Sequence, residues 1–143
     1  MKSKLILFLL MFTNITIAQV TVNWSDLGKV KFIDKYFPEY DDTFLQPIFS
    51  ESIKKLEGEI IQIKGYFLNL DPKGEIFVLS KGPMASCFFC GVGGPETAIE
   101  LHFKKKPSFK TDDIITITGT LRLNDNDVEH FNYILFNCEA IKN

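Results

Sequence analysis

The sequence predicts a mainly β fold: a five-stranded curled barrel preceded by one N-terminal helix and an extended aromatic arm. Two observations carry this. One strand pattern occurs twice, and five short apolar runs separated by turn residues fill the second half of the chain, the count and spacing of a sandwich or barrel. The repeat sets Glu59-Ile60-Ile61-Gln62-Ile63-Lys64-Gly65-Tyr66-Phe67 against Asp113-Ile114-Ile115-Thr116-Ile117-Thr118-Gly119-Thr120-Leu121. Each copy opens on an acid and two isoleucines, then alternates apolar and polar residues up to a glycine. Period-two alternation marks a strand with one buried face. It points Ile61, Ile63 and Phe67 inward, and Ile115, Ile117 and Leu121 likewise. A glycine inside a strand marks a bulge or bend, and two long strands bent in this way suit a closed sheet.

The remaining elements follow in order. Residues 1–18 read as a secretory signal. Lys2 and Lys4 form a basic start, Leu5 to Phe12 an apolar run too short to span a bilayer, and Thr16-Ile17-Ala18 a small-residue cleavage site. Residues 19–57 form an arm and a helix. Trp24, Leu27, Phe32, Ile33, Tyr36, Phe37 and Tyr40 belong to the arm, predicted to wrap across the barrel. The helix is predicted over Thr43–Leu56, with Phe44, Ile48, Ile53 and Leu56 on one face, Pro47 in its first turn and Gly58 as its stop. Residues 58–143 form the barrel. After the first strand, the turn Asp71-Pro72-Lys73-Gly74 leads into Ile76–Ser80; Ala98–Phe103 alternates cleanly; Tyr133–Ile141 closes the chain. Five strands with a glycine-bent first and fourth make an OB-like barrel. Lys104–Lys110 is too short and proline-broken for the helix that an OB-fold carries between its third and fourth strands.

Composition narrows the function. Loss of residues 1–18 leaves 125 of 143 residues, one domain's worth, and takes two lysines with it, so a net charge of −2 becomes −4. That sign argues against nucleic acid and against anionic lipid surfaces. The expected product is exported, periplasmic or secreted, with no membrane insertion after cleavage. No nucleophile elbow, P-loop or dinucleotide fingerprint is present. The acid pairs Asp41-Asp42 and Asp112-Asp113 sit at element boundaries, where capping accounts for them. The reading is a binding or accessory role rather than catalysis.

Most of the chemistry lies in Pro83–Glu96, which holds Cys87 and Cys90, three glycines and two prolines. Three readings of its Cys-x-x-Cys-Gly turn stand side by side. In an oxidising compartment the pair forms a disulfide, structural or redox-active. Thioredoxin-like catalysis is disfavoured, because Gly91-Val92-Gly93-Gly94-Pro95 cannot continue as the helix that stabilises a thiolate. Alternatively the turn is one knuckle of a zinc site, with Glu96, His102, His130 and Cys138 available for the remaining positions. Or the thiols simply fill space beside Phe88 and Phe89. Cys138 shares parity with Ile134, Phe136 and Ala140 and reads as a core thiol; His102 falls on the less apolar face of its strand; His130 follows the polar run Asn124–Asp127, which lacks the glycine and terminal glutamate of a calcium loop.

Trp24-Ser25-Asp26-Leu27, the stretch Gly58–Leu70 with its Ile63-Lys64-Gly65-Tyr66 centre, Phe77-Val78-Leu79 and the Pro83–Pro95 loop together resemble an exported OB-like family of bacterial envelope proteins. The resemblance implies an envelope-protein partner or a metal ion, since a role near metal transport is attached to some members. In that family the loop carries one cysteine followed by histidine and a proline run. Here Phe88 stands in the histidine position and Cys90 is added.

Overall fold

The computed structural model describes residues 19–71 and 73–143. The signal-peptide reading of residues 1–18 and the proline of the 71–74 turn lie outside the described residues. Among the described residues, eight strands and two short α-helices follow in order: β1 (Val20–Thr21), α1 (Trp24–Leu27), β2 (Val30–Phe37), β3 (Asp42–Phe49), α2 (Glu51–Lys54), β4 (Ile60–Asn69), β5 (Phe77–Ser80), β6 (Ala98–Phe103), β7 (Ile114–Leu123) and β8 (Tyr133–Lys142).

Strands β4 to β8 close into the predicted barrel. Their order around it is β4-β5-β6-β8-β7, with β7 pairing back onto β4. The β6–β8 pair is parallel and the other four contacts are antiparallel. Each repeat of the strand motif occupies one of the two long strands, and they pair with each other from Ile60↔Thr120 to Tyr66↔Ile114. Ile61, Ile63, Phe67, Ile115, Ile117 and Leu121 all lie buried inside, as the alternation requires. The two glycines mark places where strands come too close for a side chain. A Cβ on Gly65 would sit 2.7 Å from the Ser80 carbonyl oxygen, and one on Gly119 would sit 2.9 Å from that of Phe136. The β7–β8 register slips between Thr118 and Thr120, so Gly119 faces a bulge. Across Gly65 the β4–β7 register runs unbroken.

That bulge corrects one expectation. Ile134, Phe136, Cys138 and Ala140 do not share a face. Asn137 takes a left-handed φ of 54°, and the extra residue turns Cys138 inward while Phe136 stacks outside on His102 at 4.6 Å. Cys138 is a core thiol, but for this reason rather than by simple parity.

The region before the barrel also departs from expectation. The helix predicted over Thr43–Leu56 is a strand through Phe49; only Glu51–Lys54 is helical. β3 pairs antiparallel with β2 from Val30↔Phe49 to Phe37↔Asp42. Thr43, Phe44, Ile48 and Phe49 favour strand as readily as an i, i+4 helical stripe, and pairing with β2 decides between them. Pro47 is tolerated because β3 borders a single strand among the described residues, and edge strands are where proline is accommodated. The aromatic arm is extended only in part: Phe32, Ile33, Tyr36 and Phe37 lie in one strand of a hairpin, whereas Trp24 and Leu27 fall in α1 and Tyr40 in the hairpin turn. Below the hairpin, α1 begins with a capping box: the Asn23 side chain accepts from the Asp26 amide, and the Asp26 carboxylate accepts from the Asn23 amide. The Trp24 indole donates to the Lys64 carbonyl at 2.9 Å, and Leu27, Phe49 and Ile53 pack into the barrel core. The Tyr133 hydroxyl donates to the Leu27 carbonyl at 2.6 Å, tying this segment to β8.

A second, smaller core lies outside the barrel. Leu68, Val78 and Ala98 alternate with inward residues and face out, yet all three are fully buried. Cys87 covers them, with Met84 and Phe88 packed alongside. The β5–β6 loop is folded back over the sheet.

Candidate functional site

The 83–96 loop is held by its own backbone more than by secondary structure. At its base the Lys81 amide donates to the Thr97 carbonyl at 3.0 Å. At its start the Met84 amide donates to the carboxylate of Asp112 at 2.7 Å, and Asp112 itself sits in the left-handed region at φ 72°. Between these ties run three single 3-10 turns, Met84–Ser86, Phe88–Cys90 and Pro95–Thr97. Cys87 is extended between the first two. Its carbonyl accepts from the amides of Cys90 at 3.0 Å and Val92 at 3.3 Å. Gly91 then reverses the chain at φ 79°, a conformation that costs an L-residue with a side chain about 1–2 kcal/mol. The Cys-x-x-Cys-Gly spacing therefore folds as one tight turn, because the glycine permits it.

That turn brings the two sulfurs to 3.9 Å. Cys87 is 2 % exposed, wedged into the outer core, while Cys90 is exposed. The Cys87 thiol donates to Cys90, whose own thiol donates to the Met84 carbonyl at 2.9 Å. The hydrogen bond shared with Cys87, then partial burial and the charge of the neighbouring sulfur, hold the Cys90 thiol above its ordinary titration range, against an opposing effect of its backbone hydrogen bond to Cys87. Both thiols are free.

The other sequence candidates stand elsewhere. Glu96 lies in the last turn of the loop, its carboxylate curled over Gly94 where a Cβ would otherwise sit. His102 is on the outer face of β6, its Nε2 2.6 Å from the Glu100 carboxylate. Cys138 is inside the barrel, its thiol donating to the Leu135 carbonyl at 3.1 Å; burial pushes it up to about 12. Of the six candidate ligands the fold pairs Cys87 with Cys90, and brings His102 and His130 to a shared Glu100 carboxylate. Among the described residues, no group of three or more His, Cys, Asp and Glu side chains is arranged to hold a metal ion.

One polar cluster escaped sequence reasoning. The Glu100 carboxylate contacts His102 Nε2, His130 Nδ1 at 2.9 Å and the Phe131 amide at 3.1 Å. The hydrogen bond and charge of Glu100 raise the His130 pKa, against a smaller opposing effect of burial. This clamp ties the β7–β8 connection to β6. Glu100 and His102 share strand parity, but nothing in the sequence signals the return of His130. The connection itself is organised by the buried Asn124 side chain, which accepts from the Asp127 amide at 3.0 Å and donates to the Asp127 carbonyl at 2.7 Å. The Asn/Asp run thus serves its own loop. Phe131 continues from the clamp to Phe89, with ring centres 5.7 Å apart, so the clamp and the cysteine loop share a wall.

Two clefts flank the β7–β8 connection. One, of about 640 Å³, lies over His102, Arg122 and Phe136. The other, of about 350 Å³, lies between the hairpin and the cysteine loop. Set against family models, curated proteins and solved structures, the chain matches none of them.

Proposed function

We propose that the chain is an exported, non-catalytic binding or accessory module whose 83–96 loop is closed by a reversible Cys87–Cys90 disulfide. One observation supports this most: the two sulfurs face each other at 3.9 Å, and no third ligand group is gathered with them among the described residues. A disulfide needs an S–S distance of about 2.05 Å, so the pair must close by roughly 2 Å. The Cys90 side chain, being exposed, has room to turn. In the reaction both thiols lose their hydrogens and one S–S bond forms. Two electrons and two protons pass to a disulfide carrier of the export compartment, whose own bond opens to two thiols. The raised Cys90 pKa argues against a catalytic nucleophile, which needs a stabilised thiolate. The bond is a staple on a binding loop.

A second reading has its own observation. The 3.9 Å separation is close to the edge of a tetrahedron with Zn–S bonds of about 2.3 Å, roughly 3.8 Å. In that reading the pair offers half a site to a zinc-class ion, and an envelope-protein partner supplies the remaining ligands.

Native mass spectrometry of the mature protein separates the two. A loss of two hydrogens, reversed by reductant and abolished in Cys90→Ser, is the expected result. A mass gain of one ion, removed by chelator, favours the second reading. Two free thiols and no ion, in protein isolated from the export compartment together with its bound partners, would sink both.

A further inference from the structure

The smaller cleft joins three segments remote in sequence. Phe37, Phe44 and Leu45 come from the hairpin, Phe88 and Pro95 from the cysteine loop, and Val128 from the β7–β8 connection. The hairpin wall is an aromatic block: Phe44 packs edge-on against Phe37 at 5.9 Å and against Tyr40 at 5.8 Å. Leu45 stands at its lip, 51 % exposed. At about 350 Å³ the cleft falls at the lower end of the range for specific pockets and suits one or two large apolar side chains.

Its polar margin holds Asp125 and Asp127, no lysine or arginine, and His130, whose imidazole is engaged by the Glu100 carboxylate. Glu39 and Glu129 stand near enough that their charge, with that of Asp127, adds to burial in raising the Tyr40 phenol. Among the described residues none of the carboxylates of Asp125, Asp127, Glu39 and Glu129 is engaged in an ion pair. Asp125 holds Gln46 through its backbone carbonyl and leaves its carboxylate for the margin. The aromatic wall already takes one cation, with the Lys35 ammonium 4.9 Å from the centre of the Phe37 ring. An anionic ligand would meet repulsion here. An apolar group carrying positive charge beside it meets both the walls and the margin.

We propose that this cleft docks a cationic amphipathic peptide segment of a partner protein. An aromatic or large aliphatic side chain enters between Phe44, Leu45 and Phe88, and a flanking lysine or arginine lies against Asp125 and Asp127. The proposal deepens the binding-module reading and rests on it, since the cysteine loop supplies one wall.

The probe is a fluorescently labelled peptide of alternating lysine and serine with a central Phe-Leu pair. Two control peptides carry glutamate for lysine, or serine for the Phe-Leu pair. Fluorescence anisotropy and amide chemical shifts are read on the whole mature chain. The lysine peptide binds, more weakly at high salt, and shifts amides of the hairpin, of residues 88–95 and of residues 125–130. Neither control binds comparably. Leu45→Ser and Asp125→Lys, both at exposed positions, each weaken binding about tenfold, the ordinary size of an interface anchor. Equal binding of the glutamate peptide, parental affinity in both variants, shifts confined to other faces, or no binding at all would overturn the proposal. Its failure is separable from that of the thiol reading. Peptide binding with no disulfide and no ion removes only the latter; a reversible disulfide with no peptide binding removes only the docking site.

Discussion

Cys138 and Cys87 are both almost fully buried, at 2 % exposure each, yet they lie in cores of different kinds. Cys138 is enclosed by a barrel whose strands are hydrogen-bonded all round. Cys87 sits under a loop of three short turns, one residue-pair away from an exposed partner thiol. The barrel keeps its sulfur out of chemistry: burial raises the thiol to about 12, and its hydrogen goes to a carbonyl in the same strand. The loop keeps its sulfur within reach of chemistry. Burial alone, then, does not decide whether a cysteine is filling or function. What lies over it decides, together with how cheaply that cover opens.

The comparison breaks most visibly at the barrel glycines. Gly65→Ala places a Cβ 2.7 Å from the Ser80 carbonyl and 2.9 Å from the Leu79 side chain. The first of these is backbone of the paired strand and cannot step aside. We expect a loss of about 3 kcal/mol, at the upper end for overpacking, read from urea unfolding. Gly91→Ala meets nothing within 4 Å and loses only backbone freedom at φ 79°, an expected cost of about 1 kcal/mol. If the two losses came out equal, the loop would be as integral to the fold as the barrel, and the contrast would fall.

How legible this was in the sequence follows the same division. Ala98–Phe103 was readable to its end residues, because large apolar residues alternate with small or polar ones along it. The inward isoleucines of β4 and β7 were readable for the same reason. The strand at Asp42–Phe49 was not, since its residues satisfy both a helical stripe and a strand alternation, and only the partner strand β2 breaks the tie. At the site, the proximity of Cys87 and Cys90 was written in their spacing. The distance of Glu96, His102 and Cys138 from them was not, because it depends on a loop folding back over the sheet and on a bulge at Asn137. The Glu100–His130 contact spans thirty residues and leaves no local trace.

A reagent sharpens the contrast between the sulfurs. With native protein and a small alkylating agent, Cys90 is expected to react first, Cys87 only as the loop opens, and Cys138 only on global unfolding. The raised Cys90 pKa means its rate keeps climbing above the range of an ordinary thiol, about 8.5. Cys87→Ala removes the hydrogen bond that is the main cause, so the midpoint of that pH profile moves down. A profile unchanged by Cys87→Ala would mean that the two sulfurs do not touch in solution.

The smallest expected effect concerns the clamp that steadies the loop's neighbour. His130 has its pKa raised by Glu100, so protonated His130 is favoured in the folded state. Its contribution is full below the unfolded histidine value of about 6.5 and fades as pH rises through the higher folded value. Neutral His130 still has an N–H to donate from Nδ1, so the clamp weakens above the folded value without vanishing. The Phe131 amide, bonded to the same carboxylate at 3.1 Å, is the natural reporter. Its hydrogen-exchange protection, corrected for the intrinsic pH dependence, should fall modestly as pH passes through the His130 titration. In Glu100→Gln the step should disappear and the His130 titration should move down, since its largest raising cause is gone, while barrel amides such as that of Ile117 keep their protection. A step surviving in Glu100→Gln would place the control of the β7–β8 connection in the hairpin rather than in β6.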